Sequence, residues 1–251
     1  LRDRVPIPIN YNPVLIYVNQ DDHAYNTQLI RATNMLISSV RFMKALRDGV
    51  LEPEVFHMNP QKSDTPLFRT VTGLIPKPLK WYGAYLFFKA FPLDMSQYPS
   101  LFNSTRIPQH DKDCIRRDES GRHIVVMRRG NFYVFDVMDN DGNIRPPAEI
   151  LACLLYILND STPEPSFPLG ILTTEERNTW ASARKHLESI GNTDALRMID
   201  SAIFNLVLDD VEAREDQKLL IRNFLHGDGT NRWFDKSLSL IVARDGWAAV
   251  N

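Results

Sequence analysis

The sequence predicts an α/β protein in which a mixed sheet is flanked by helices. Short apolar runs of strand character recur along its 251 residues, at 14–18, 132–138 and 201–208 among others. Windows with apolar residues at helical spacing lie between them, and turn signals such as Arg129-Gly130-Asn131 and Asp245-Gly246 separate the pieces. Strands and helices are therefore interspersed, not segregated. Hydrophobic residues make up 43% of the chain, enough for a sizeable core, and charged residues make up 24%, which is ordinary for a globular protein.

The elements follow in order. Residues 5–13 hold three prolines and read as extended chain. Val14 to Val18 is a short apolar strand. From Ala24 to Arg47 the spacing of Leu29, Thr33, Leu36, Ile37, Val40, Met43 and Leu46 predicts one long helix, which Asp48-Gly49 ends. Residues 123–128 and 132–138 form a hairpin around Arg129-Gly130-Asn131, followed by a turn at Asp139-Asn140-Asp141-Gly142. Pro147 opens a helix over 148–158. Thr173-Thr174-Glu175-Glu176 fits a capping box for a helix that runs to Ile190 and ends at Gly191. A strand is expected over 201–208 and a helix over 212–225. A strand over 237–243, the Arg244-Asp245-Gly246 turn and a further strand from Trp247 complete the chain. That last strand is expected to leave a sheet edge and core surface uncovered.

Composition excludes some functions. A net charge of −2 gives no reason to expect a nucleic-acid partner. Cys114 and Cys153 form neither a disulfide framework nor a zinc site and point to a reducing compartment; Cys153, in an apolar run, is expected to be buried. Leu1 is not a start methionine and the first residues resemble neither a signal nor a transit peptide, so any targeting segment is expected outside this sequence. The sequence carries no P-loop, G-x-G-x-x-G or G-x-S-x-G motif. The six histidines have no metal-ligand spacing, and none begins an H-x-x-x-D pattern. His226 stands out, because it lies in Leu225-His226-Gly227-Asp228-Gly229, yet it reads as a surface or satisfied residue before it reads as a base.

The run Leu225-His226-Gly227-Asp228-Gly229-Thr230-Asn231-Arg232-Trp233-Phe234-Asp235-Lys236 resembles the motif shared by the choline/carnitine acyltransferases. In that family Arg-Trp-Phe-Asp-Lys leads into an apolar strand, an Asp-Gly turn and a second strand, matched here by residues 238–243, Asp245-Gly246 and Trp247 onward. The resemblance implies a general-base histidine at position 254, preceded by an acidic residue at 253. The chain alone is therefore expected to be inactive, an incomplete acyltransferase domain spanning 1–251. The runs 51–57, 81–86, 92–98, 101–106 and 129–137 resemble the long-chain, inner-membrane branch of the family. That likeness implies reversible transfer of long-chain acyl groups between carnitine and coenzyme A in mitochondrial fatty-acid oxidation. Both act as substrates; no bound cofactor or metal is implied. A histidine suits the work because its pKa lies near working pH. The implied fold is the first of two similar domains of the chloramphenicol-acetyltransferase type, with the active site in a tunnel between them and most coenzyme A contacts on the second. The stretch Tyr11-Asn12-Pro13-Val14-Leu15 matches a family segment near the acyl tunnel, so Tyr11, Asn12, Pro13 and Leu15 are expected in its wall. Without the resemblance the stretch reads as a core strand after an irregular lead-in.

Residues 59–88 are distinct in character. From Thr65 to Phe91 there is no acidic residue. Arg69, Lys77 and Lys80 are interleaved with Phe68, Trp81, Tyr82, Tyr85, Phe87 and Phe88. Charges and Pro76 and Pro78 prevent a bilayer span. Basic and aromatic residues together suit a segment lying on an anionic membrane surface. The resemblance points the same way, to a membrane-association insert on the matrix side of the inner mitochondrial membrane. Composition alone also fits a buried hairpin covering the core. Two further readings of the whole chain stay open: a medium- or short-chain carnitine acyltransferase fragment, and a non-catalytic membrane-associated pseudo-domain.

Overall fold

The computed structural model describes residues 4, 12–51, 54–212, 214 and 216–251, without the side chain of Lys77. The proline-rich opening, Tyr11 included, lies outside the described residues. The chain divides into two compact units, one of residues 1–43 and 100–251, the other of residues 44–99.

The strands of the larger unit are β1 (Leu15–Tyr17), β4 (Ser104–Ile107), β5 (Cys114–Arg117), β6 (His123–Arg128), β7 (Asn131–Asp136), β8 (Asn205–Leu208), β9 (Ser239–Val242) and β10 (Ala248–Val250). The smaller unit holds β2 (Val55–His57) and β3 (Ala90–Pro92). A six-stranded mixed sheet has the order β1-β10-β9-β8-β6-β7. Its middle strands β6, β8 and β9 are parallel, and the outer pairings are antiparallel. The strand beginning at Trp247 is thus no edge. β1 pairs with it from Leu15 opposite Val250 to Tyr17 opposite Ala248, because the β1 segment, far away in sequence, supplies the missing ladder.

Alternation sorts the sheet's two faces. Val125, Met127, Val207, Ile241 and Ala249 form one core cluster with Trp180, Leu196, Ile199, Phe224 and Trp233. Those partners come from helices α6 (Arg177–Leu187), α7 (Thr193–Ser201) and α8 (Gln217–Leu225) and from the loop before β9. The alternate residues Ile124, Val126, Leu206, Leu208, Leu240 and Val242 are also fully buried. Arg128 donates from that series to the carbonyls of Ile157 and Asp160 at the end of α5 (Pro147–Asn159). Between β6 and β7, Arg129 and Gly130 both have positive φ, 50° and 71°, as a two-residue hairpin turn requires.

Several expected boundaries move. The first long helix, α1, begins at Gln28 and runs to Arg47. His23–Asn26 is a separate 3-10 turn capped by Asp22, and the buried Asn26 side chain is bonded to Gln20 and Arg31, which breaks the helix before Gln28. The capping box does not form. Thr173 Oγ donates to Gly170 O and accepts from Phe234 N, leaving Glu176 to cap α6 through the amides of Asn178 and Thr179. Gly191, at φ 98°, kinks the chain instead of ending it, and α7 follows at once. The strand expected from 201 therefore starts at Asn205, and the helix expected from 212 starts at Gln217 behind its Asp216 cap. Cys153 is half-buried, not buried, since it lies beside the inward face of α5.

Candidate functional site

Four of the five motif side chains are tied to other parts of the fold. The loop leaves α8 through Gly227 and Gly229, at φ 59° and 84°. Asn231 accepts from the Gly130 amide and donates to Asp209. Arg232 grips both oxygens of Asp209, at 3.1 and 2.8 Å, and donates to Asn223 O at 2.6 Å. Trp233, 1% exposed, lies edge-on to Phe132 and Trp180. The Phe234 ring is half-buried. Asp235 accepts from Arg177 at 2.8 Å and from the indole N–H of Trp180 at 2.7 Å. Arg177 in turn bonds Asp113, which also holds Arg106 at 2.6 Å. Lys236 Nζ donates to the carbonyls of Ile199 and Asp200 at the end of α7.

Burial sets the electrostatics of this hub. It is the largest influence on Asp235 and raises its pKa despite Arg177 and Trp180. Asp113 feels the same upward push, but its bonds to Arg177 and the Gln109 amide, with the charges of Arg177 and Arg106, outweigh it and leave the carboxyl below its usual range. Lys236 is driven down to about 7 by burial, against the pull of Asp200 and Asp118.

The motif thus fixes the start of β9, the strand that the hairpin turn joins to β10. A cavity of 190 Å³ opens beside it, lined by Asn12, Phe234, Lys236, Ser239 and Asn251 among others. Of the expected tunnel-wall residues, Asn12 is brought to the motif; Pro13 is exposed, and Leu15, on the edge strand, is 66% exposed. His226 Nδ1 donates to Gly227 O, 2.6 Å away, as a local loop contact. Sequence reasoning missed Asp113, Arg177, Asp209 and Asn223. An Asp pair directly after an apolar strand, as at Asp209-Asp210, is the one signal that could have flagged any of them.

The smaller unit carries the second candidate surface. Its helices are α2 (Pro60–Ser63), α3 (Pro66–Leu74) and α4 (Lys80–Phe88), with β2 paired to β3. The buried hairpin is replaced by helices, because Pro66 suits a first-turn position behind the Thr65 cap and Pro76 and Pro78 fall between α3 and α4. Gly83 lets α4 lie against Ile75, where a Cβ would be 2.3 Å from that side chain. Phe68 is only 7% exposed and packs with Ala84, Ala90 and Phe88, so it belongs to the unit's core and corrects the expectation of membrane contact at that position. By contrast Leu74, Leu79, Trp81, Tyr82 and Phe87 are 81, 58, 58, 49 and 71% exposed. Tyr85 is partly exposed, with Lys89 Nζ above its ring. Arg69 is exposed beside Asp64, and Lys80 is exposed as well. Among the described residues, no helix is long and apolar enough to cross a membrane.

The mixed sheet, its helical layer and the anchored Arg-Trp-Phe-Asp-Lys loop are consistent with an acyltransferase-family domain. The family model for choline/carnitine O-acyltransferases matches residues 1–251, and the chain belongs to that family. It is 55% identical over its whole length to mitochondrial carnitine O-palmitoyltransferase 2 of Macaca fascicularis, covering 38% of that protein. The protein of the same name from Xenopus tropicalis is 56% identical over 99% of the chain and 37% of its own length. Carnitine O-acetyltransferase of Columba livia is 29% identical over 98% of the chain and 36% of its own length. The chain thus spans somewhat more than a third of these relatives.

Proposed function

We propose that this chain is the part of a carnitine O-palmitoyltransferase that carries and aims the strand leading to the general base. The longer protein containing it then moves long-chain acyl groups reversibly between carnitine and coenzyme A. The supporting observation is the 55% identity to a palmitoyltransferase, set against 29% to an acetyltransferase. The same identity gap speaks against the medium- and short-chain reading. In this proposal the first of two chloramphenicol-acetyltransferase-like domains is the one described here. A histidine at position 254 takes the proton of the coenzyme A thiol while sulfur attacks the acyl carbonyl of acylcarnitine. The proton then passes to the departing carnitine oxygen as the tetrahedral intermediate collapses, and no acyl-enzyme forms. Asn12, beside the motif cavity, is the best-supported member of the acyl-tunnel wall. The test is turnover of palmitoylcarnitine and coenzyme A by the longer protein. Replacing the residue at position 254 by alanine is expected to lower kcat by about 10²–10⁴-fold. Unchanged turnover would refute the assignment, as would transfer by residues 1–251 alone.

The smaller unit, in the same proposal, seats the protein on the matrix side of the inner mitochondrial membrane. Exposed rings and leucines on α3 and α4 would enter the headgroup layer, with Arg69 and Lys80 meeting anionic lipid. The word mitochondrial in the names of the relatives supports the compartment. Trp81→Ser combined with Phe87→Ser in the longer protein is expected to weaken binding to cardiolipin-rich vesicles by about ten-fold or more, since each ring removes well over a kilocalorie of apolar burial. Equal vesicle binding by the variant, or by a protein lacking 59–88, would overturn the membrane role.

A further inference from the structure

The last four carbonyls of an α-helix have no partner within the helix. In α8 these belong to Arg222, Asn223, Phe224 and Leu225; all four are filled, the last three by side chains from outside the helix. Arg222 O accepts from the amides of His226 and Gly227. Asn223 O accepts from Arg232. Phe224 O and Leu225 O both accept from one group, Asn251 Nδ2, each at 2.8 Å. The backbone of Asn251 is held as well, in a reciprocal pair with Ser239 at 2.8 and 2.9 Å. Asn251 is therefore bonded through main chain to β9 and through side chain to α8. Arg232 fixes the same helix end by its bond to Asn223 and its grip on Asp209.

We propose that Asn251 is a positioning residue, clamping the exit of β10 to the end of α8 so that the following residues point into the active site. The inference rests on the proposed general base at position 254, three residues further on. Two independent anchors on one residue leave little freedom for a segment that short. A side chain needed only to cap α8 would not have to sit on the strand that leads to the base.

The experiment uses the longer protein. Asn251→Ala removes both side-chain bonds, and Asn251→Asp replaces the donor by a carboxylate facing two carbonyls. Asn251→His keeps one donor, Nδ1, near the position of Nδ2, and Asn251→Ser keeps a donor one bond short of it. At a temperature well below each variant's Tm, the Ala and Asp variants are expected to lose about 10- to 100-fold in kcat, because small displacements of a reacting group cost rate. KM for palmitoylcarnitine and for coenzyme A should change less than two-fold. The Ser and His variants should recover part of kcat. If Asn251→Asp does not fold, the Ser and Ala variants carry the same comparison. A lowered Tm with kcat within two-fold of the parent would overturn the proposal, leaving a cap and nothing more. Loss of the base at position 254 separates the two claims. Should that loss leave turnover intact, the proposed function fails; should it abolish turnover while Asn251→Ala does not, only the positioning role fails.

Discussion

Asp113→Ala is expected to destabilise the protein by about 3–5 kcal/mol, the usual result of removing one partner from a buried ion pair. Asp113 is fully buried and holds Arg177 at 2.7 Å and Arg106 at 2.6 Å. Arg177 is itself 0% exposed and would keep, among the described residues, only Asp235 as a charged partner. The motif carboxylate would then face a guanidinium no longer held from its other side. Asp113→Asn, which keeps shape and loses charge, should cost less. The midpoint of urea unfolding at constant slope measures both. A loss below about 1 kcal/mol for Asp113→Ala would mean that the network is not desolvated as described. The acid limb supplies a second reading. The folded-state pKa of Asp113 lies below its unfolded value near 3.8. Its contribution is therefore present above that value and is lost as pH falls through the folded pKa. In the Asp113→Asn variant that part of the acid transition should be flatter.

This network was invisible to sequence reasoning for a simple reason. Arg177 lies 64 residues from Asp113 and 58 from Asp235, so no local pattern pairs them. The β6–β7 hairpin was legible because its turn chemistry, Arg129-Gly130, sits within the strands it joins. So was the β9–β10 hairpin. Helix α7 was missed because Gly191 is an ordinary stop signal, and only the tertiary fit of Leu196 and Ile199 restarts a helix two residues later. The capping box failed because Thr173 had a better use, tying the 3-10 turn to the motif loop at Phe234. The motif itself was found as a family signature. Its physical role, four anchors to four parts of the fold, appears only once Asp209, Asn223, Trp180 and α7 are in place.

Gly246→Ala should be among the most damaging single methyl additions in this chain. Gly246 forms the β9–β10 turn with φ 84°, a backbone that costs an L side chain about 1–2 kcal/mol. A Cβ there would lie 1.5 Å from Asn26 O. Retreat is blocked on the Asn26 side, because the Asn26 side chain is bonded to both Gln20 backbone groups and to Arg31. The turn would have to move, and β10 with it. The expected loss is at least about 3 kcal/mol, with overpacking adding to the backbone cost. Gly142→Ala is the matched control. Its φ is 79°, yet nothing lies within 4 Å of the added Cβ, so only the backbone cost should appear. Equal losses at the two glycines would show that the approach of the turn to Asn26 is not as close as described. If the larger loss at Gly246 holds, the longer protein should also lose turnover with Gly246→Ala but keep it with Gly142→Ala. The hairpin that meets Asn26 at its turn carries, at its other end, the strand whose exit Asn251 holds.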